Sequence, residues 1–152
     1  MAVMCGENVL GSAIEDVMVT RKSIQTPIKH FRINVMESLP EDMPDDLKRH
    51  ITRERSMFQR LGKTVWLSCG GELSVDVENV GPIRYLPRRG FPGYFFPYNN
   101  TENYLSPLVA IYFEKPQKGI VINVECRIWA KNIEYNKERG TGFVHFELMV
   151  DY

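Results

Sequence analysis

Along this chain the spacing of hydrophobic positions switches between two periods, and each switch marks an expected element. From Ile28 to Met36 the residues alternate, with Phe31, Ile33 and Val35 on one side, which predicts a strand whose apolar face points inward. Over 44–62 the spacing lengthens to the helical repeat. Leu47, Ile51, Phe58 and Leu61 form one stripe with Met57 at its edge, preceded by Pro40, Pro44 and several carboxylates that suit a helix start, and Gly62 ends it. Beyond Gly62 the period returns to two. Thr64–Cys69 and Glu72–Glu78 flank Gly70 and Gly71, a pattern that predicts a tight β-hairpin with Leu73, Val75 and Val77 facing one way and Glu72, Ser74, Asp76 and Glu78 facing water.

Two more strands are expected at 108–113 and 119–130, joined by a turn over 114–118. In the second, Ile120, Ile122, Val124, Cys126 and Ile128 share a face. A last strand at 143–150 turns Val144, Phe146, Leu148 and Val150 inward and His145 and Glu147 outward. The stretch between 81 and 107 is rich in proline, glycine and rings and reads as a long irregular loop. Its aromatic residues Phe91, Tyr94, Phe95, Phe96 and Tyr98 either cover the core or form a contact surface for a neighbour. Residues 1–26 read as an extended N-terminal arm, and 27–152 as one globular α+β domain with a single main amphipathic helix.

Composition changes this picture in one respect. Lys plus Arg and Asp plus Glu both number 19, so no net field draws the molecule to nucleic acid or anionic lipid, and little long-range repulsion opposes self-association. Charge is nevertheless segregated. Lys48, Arg49, Arg53, Arg55, Arg60 and Lys63 lie opposite the apolar stripe of the helix, with Glu54 the one acid among them, and Arg84, Arg88 and Arg89 bracket Tyr85-Leu86-Pro87. The helix patch suits an anionic membrane surface or the phosphates of RNA, and a solvated helix face with local salt bridges fits as well; the arginines beside the aromatic loop suit single-stranded nucleic acid or a protein partner, and a loop that merely covers the core fits equally.

Cys5, Cys69 and Cys126 are odd in number and widely spaced, which predicts free thiols in a reducing compartment, with Cys126 packed as a small inert hydrophobe. No apolar run approaches the length of a membrane span and no leader pattern opens the chain, so a cytosolic protein is expected. Chemistry finds little support. His30, His50 and His145 stand in no nucleophile or base motif, the acids at 41–46 lack calcium-loop spacing, and Gly70-Gly71 leads into an expected strand rather than a helix N-terminus. A binding protein is expected, with no enzymatic activity, metal or cofactor.

The Tyr85-Leu86-Pro87-Arg88-Arg89 segment resembles the Tyr-Leu-Pro-x-Arg stretch of vesiculovirus matrix proteins. The order of strand, amphipathic helix, hairpin, proline-bearing loop and paired strands over about 28–135 is likewise similar to rhabdovirus matrix proteins. That resemblance implies a strongly bent antiparallel sheet packed with the helix. It also implies a structural protein of the virion and host cytoplasm, peripheral to the membrane, that self-associates and bridges nucleocapsid and membrane. The lysine-rich arm and P-P-x-Y motif of animal-virus members are absent. The basic patches would then contact membrane or nucleocapsid, and the aromatic loop would serve self-association. An RNA-binding module, such as a viral suppressor of host defence, is the alternative.

Overall fold

The computed structural model describes the backbone of residues 2–5, 38–57, 63–95 and 107–151, and side chains from residue 38 onward within these ranges. The expected strand at 28–36, the helical continuation through Phe58, Arg60, Leu61 and Gly62, and Phe96 and Tyr98 of the aromatic stretch lie outside the described residues.

In chain order the elements are β1 (Ala2–Cys5), α1 (Asp45–Met57), β2 (Thr64–Gly71), α2 (Ser74–Val80), β3 (Ile83–Leu86), β4 (Gly90–Pro92), β5 (Val109–Phe113), β6 (Val121–Trp129) and β7 (Phe143–Met149). The architecture is α+β, as expected. Among the described residues every strand pairing is antiparallel, and the strands form a three-stranded sheet in the order β1-β5-β3 and a four-stranded sheet in the order β4-β2-β6-β7. Apolar side chains from both sheets merge into one core. Val109, Ile111 and Phe113 of β5 meet Leu67 of β2, Ile122 and Val124 of β6, and Phe146 and Leu148 of β7. The Phe113 and Phe146 rings meet edge-on at 6.3 Å, a favoured geometry for two quadrupoles. Tyr85 also ties the sheets together, since its phenol oxygen accepts the Cys69 N–H at 2.8 Å.

The other face of the four-stranded sheet is covered by α1. Met43, Leu47 and Ile51, spaced four residues apart, bury against Trp66 and Trp129, which lie opposite each other in the β2–β6 register. Asp45 and Asp46 occupy the first turn of the helix, where carboxylates meet the positive end of its dipole. The Trp129 indole N–H donates to Ser68 Oγ at 2.7 Å, so this buried donor is satisfied. Arg127 lies 3.7 Å from the Trp129 ring centroid and 4.1 Å from that of Tyr135, and its guanidinium pairs with Asp42 at 2.6 Å just before α1. With one face in the shared core and the other under α1, β2 is buried from Thr64 to Ser68.

Besides β3 and β4, which form inside the stretch 81–107 expected to be an irregular loop, two expectations are overturned. The hairpin over 64–78 does not form, because β2 pairs with β6 and β4 while residues 74–80 fold as α2. Leu73, Val75 and Val77, expected to share an inward face, are 59%, 56% and 58% exposed, whereas Asp76, expected in water, is 4% exposed. The reason is local. Asp76 accepts the Leu73 N–H at the start of α2 at 3.2 Å and the Asn123 N–H of β6 at 3.0 Å, so one buried carboxylate caps the helix and staples it to the sheet. Gly71 is needed for close approach rather than for a turn. A Cβ placed there would come within 2.2 Å of the Asp76 and Val77 backbone.

The second correction concerns sulfur. Cys69 and Cys126 are directly opposite each other on β2 and β6, with Cα atoms 4.0 Å apart, and are joined as a disulfide that closes a separation of 57 residues. Cys126 is therefore neither a free thiol nor evidence for a reducing compartment. At the N-terminus, Ala2–Cys5 adds to the edge of β5, with Val3 opposite Ile111.

Candidate interaction surface

The two basic segments meet in space. The N-terminal part of α1 packs beside the turn that follows β3, and the link is Arg89. Its Nη1 pairs with Asp46 Oδ2 at 2.7 Å, its Nε donates to the Leu67 carbonyl at 3.0 Å, and its guanidinium lies 4.7 Å from the Tyr85 ring centroid. One side chain thus joins α1, β2 and β3. Burial favours the neutral carboxyl of Asp46, but the hydrogen bond and charge of Arg89 outweigh it and hold Asp46 below the usual aspartate value.

Between these elements lies an open cleft of about 400 Å³ lined by His50 and Glu54 of α1, Trp66 of β2, and residues 83–89. His50 meets the Trp66 ring edge-on at 5.7 Å. Burial pushes its pKa below the ordinary imidazole value, with Arg89 and Arg53 acting in the same direction against Glu54 and Asp46.

The basic residues expected to make contacts have different surroundings. Arg84 pairs with Glu114 and lies over the Tyr112 ring, and Lys48 reaches Asp45 and the Glu41 carbonyl. Arg55 is half-buried. Arg49, Arg53, Lys63 and Arg88 are exposed with no acidic partner among the described residues, and Arg60 falls outside them. Local salt bridges thus account for part of the basic set and leave four cations open.

The aromatic stretch also divides. Phe91 is buried in the core, Tyr94 is 78% exposed, and Phe95 is half-buried with its ring centroid 4.5 Å from that of Tyr94. A small groove of about 110 Å³ runs among Pro87, Phe91, Pro92, Tyr94, Phe95 and Leu108, with Leu86 exposed beside it. This apolar, proline-rich surface needed tertiary structure to be seen, since Leu86 and Leu108 are far apart in sequence.

On the outer face of β6 and β7 a polar cluster pins the 130–142 loop. Lys137 bridges Glu72 at 2.9 Å and Glu125 at 3.2 Å, His145 faces Glu72 at 3.1 Å, and the Tyr135 hydroxyl donates to Glu125 at 3.1 Å. Hydrogen bonds to Glu72 and then Glu125 hold the Lys137 pKa well above the lysine range. Among the described residues no three His, Cys, Asp or Glu side chains converge as metal ligands, and no helix is long and apolar enough to cross a membrane.

Among the described residues that line these surfaces no nucleophile and base converge. Residues 26–146 match the model of the sodium/potassium ATPase beta chain. The chain belongs to that family. It is 51% identical over 119 residues to sodium/potassium-transporting ATPase subunit beta-2 of Drosophila melanogaster, covering 78% of this chain and 36% of that protein. Subunit beta-1 of the same organism is 45% identical over 120 residues, covering 77% and 38%, and human subunit beta-2 is 36% identical over 107 residues, covering 66% and 37%. The chain therefore spans a little over a third of the length of these relatives.

Membership in the beta-chain family overturns the viral reading. A five-residue likeness and an order of elements that many folds share do not carry function, whereas the family match runs through both sheets. Matrix function, RNA binding as a suppressor of host defence, and location in a virion or host cytoplasm fall with it. So do the expected partners, namely a second copy of the chain, nucleocapsid, anionic membrane surface and RNA. The physical signs agree, because Asp46 and Glu114 neutralise two of the arginines read as phosphate ligands, and Phe91 is spent on the core.

Proposed function

We propose that this chain acts as a beta subunit of a cation-transporting ATPase, folded outside the cytosol and held against the catalytic alpha subunit. The observation that carries this reading is the family match over 26–146, which contains the Cys69–Cys126 disulfide. Buried structural disulfides persist in oxidising compartments and are rare in the cytosol, so the crosslink supports a domain matured in the secretory pathway. The surface best suited to the alpha subunit is the groove around Tyr94, Phe95 and Leu108, whose exposed apolar area and prolines resemble the core of a subunit interface.

Co-expression of the chain with an alpha subunit in insect cells tests the assembly. The two chains should co-purify, and Tyr94→Asp together with Leu108→Asp should cut recovery roughly tenfold, the effect of losing interface anchors. Unchanged recovery with the double variant would remove this surface from the interface, and failure of the wild type to co-purify would sink the subunit reading. Peptide mapping without reductant, on protein isolated from cells with its thiols blocked at lysis, tests the compartment. A crosslinked Cys69–Cys126 peptide is expected, and free thiols would refute a non-cytosolic location.

A further inference from the structure

The cations around the α1 cleft fall into two sets. Arg84 and Arg89 are neutralised by Glu114 and Asp46, whereas Arg49, Arg53, Lys63 and Arg88 are exposed and meet no acid among the described residues. Arg49 and Arg53 are one helical turn apart, and Arg53 is close enough to act on the His50 imidazole that lines the cleft. Arg88 lines the same cleft from the opposite wall. Arg88 thus lines the cleft on one wall, and Arg53 and Arg49 stand on the exposed flank of the helix that forms the other, in a chain whose net charge is zero.

We propose that this rim binds a sulfated polysaccharide of the heparan type. Guanidinium groups present paired donors that match tetrahedral and planar oxyanions, and a cleft concentrates the field of the charges around it. Basic clusters of this kind serve either nucleic acid or sulfated glycans. The choice between them follows from compartment. A disulfide-bonded domain outside the cytosol does not meet nucleic acid, while polymers carrying repeated sulfates are the abundant polyanions there. Spaced cations suit a chain with an anion on successive units. Ile83, Leu86 and Pro87 give the cleft an apolar wall for the carbon faces of sugar rings. Glu54 is the carboxylate that lines the cleft and opposes the ligand. This inference rests on the non-cytosolic reading above.

The test uses the full chain with its disulfide intact, titrated with a heparin oligosaccharide over a series of salt concentrations. Hyaluronan, which carries carboxylates but no sulfate, and phosphatidylserine vesicles are the controls. Binding to heparin should weaken steeply with salt and exceed binding to either control. Arg49→Glu with Arg53→Glu and Arg88→Glu should lower affinity by roughly tenfold or more, because cooperating charge contacts are lost together. The same charge change at the exposed Lys118, Lys131 and Arg139 should leave affinity within roughly twofold, because screened charges away from the cleft contribute little. Glu54→Gln should tighten binding. No heparin binding by the wild type, equal binding to hyaluronan or to vesicles, or equal losses in the two triple variants would each overturn the proposal. Should the first triple variant fail to fold, arginine-selective labelling of the wild type decides. Heparin should protect Arg49, Arg53 and Arg88, and unchanged labelling refutes the site. Purified protein is used throughout, so a failure here leaves the disulfide mapping to judge the compartment separately.

Discussion

Residues 72–78 and 121–129 carry the same alternation of apolar and polar side chains, yet one becomes a helix and the other a strand. In β6 the alternation is used. Ile122, Val124 and Cys126 are buried, and the strand has a hydrogen-bonded neighbour on each side, β2 and β7. In α2 the same alternation is idle, because Leu73, Val75 and Val77 are all exposed and the buried positions are Asp76 and Val80, four apart. Period alone therefore states a preference that a partner must redeem. β2 has β6 along one edge, and on the other β4 covers Thr64–Trp66 while Arg89 takes the Leu67 carbonyl and Tyr85 the Cys69 N–H, so a returning strand at 72–78 meets groups already bonded.

The largest expected effect tests what holds β2 to β6. In the chain-entropy picture, a crosslink over 57 residues contributes about 4 kcal/mol, so Cys69→Ser with Cys126→Ser should lower unfolding free energy by about that amount in denaturant titration. Reductant should have the same effect on the wild type and none on the double variant. A loss near zero would mean that strand pairing alone fixes this register, and that the disulfide is incidental to where β2 ends.

Next comes a direct contrast between the two alternating stretches. Ile122→Ala in β6 should cost about 3 kcal/mol, since it opens a cavity in the shared core. Val77→Ala in α2 should change stability by less than about 0.5 kcal/mol, because the side chain is already in water. Comparable losses at the two sites would place Val77 in a core and restore the hairpin.

Much of the strand framework was legible because it obeys this rule of redemption. The strands at 108–113, 119–130 and 143–150 were expected from alternation, and β5, β6 and β7 occupy those places. The apolar stripe of α1 was legible for the same reason, with Leu47 and Ile51 buried as their spacing required. What the pattern could not reveal was non-local. Whether Cys69 meets Cys126 depends on the β2–β6 register, and no spacing in the sequence encodes it. The cleft was half legible: both basic segments stood out, but their meeting rests on Arg89 reaching Asp46 across 43 residues. Asp76 gave one signal that could have been used, an acid three residues beyond the position where a helix would begin.

That acid supplies the third test. Asp76→Ala leaves the Leu73 and Asn123 N–H groups without their carboxylate, and hydrogen bonds to a charged, buried partner make this a loss of about 2 kcal/mol. Hydrogen exchange should show where the loss falls. Faster exchange confined to 73–80 and the start of β6 is expected. Uniform acceleration throughout the four-stranded sheet would mean that α2 is part of the core rather than an addition to it.

The smallest effect is the sharpest, because its sign decides. Valine is a poor helix former and a good strand former, since branching at Cβ restricts its side chain against a helical turn but fits a pleated surface. Val75 and Val77 are exposed on α2, so changing them removes almost no burial and leaves intrinsic preference to act. Val75→Ala with Val77→Ala should therefore raise stability, by about 0.5 kcal/mol given that each substitution gains a few tenths in a helix and that α2 is short. In a strand the same pair would lower stability. Paired denaturant titrations resolve a shift of this size in the midpoint when the slope is unchanged. A destabilised double variant would show that the chain over 72–78 draws on its strand preference after all, and the distinction between an alternation that is used and one that is idle would have to be given up.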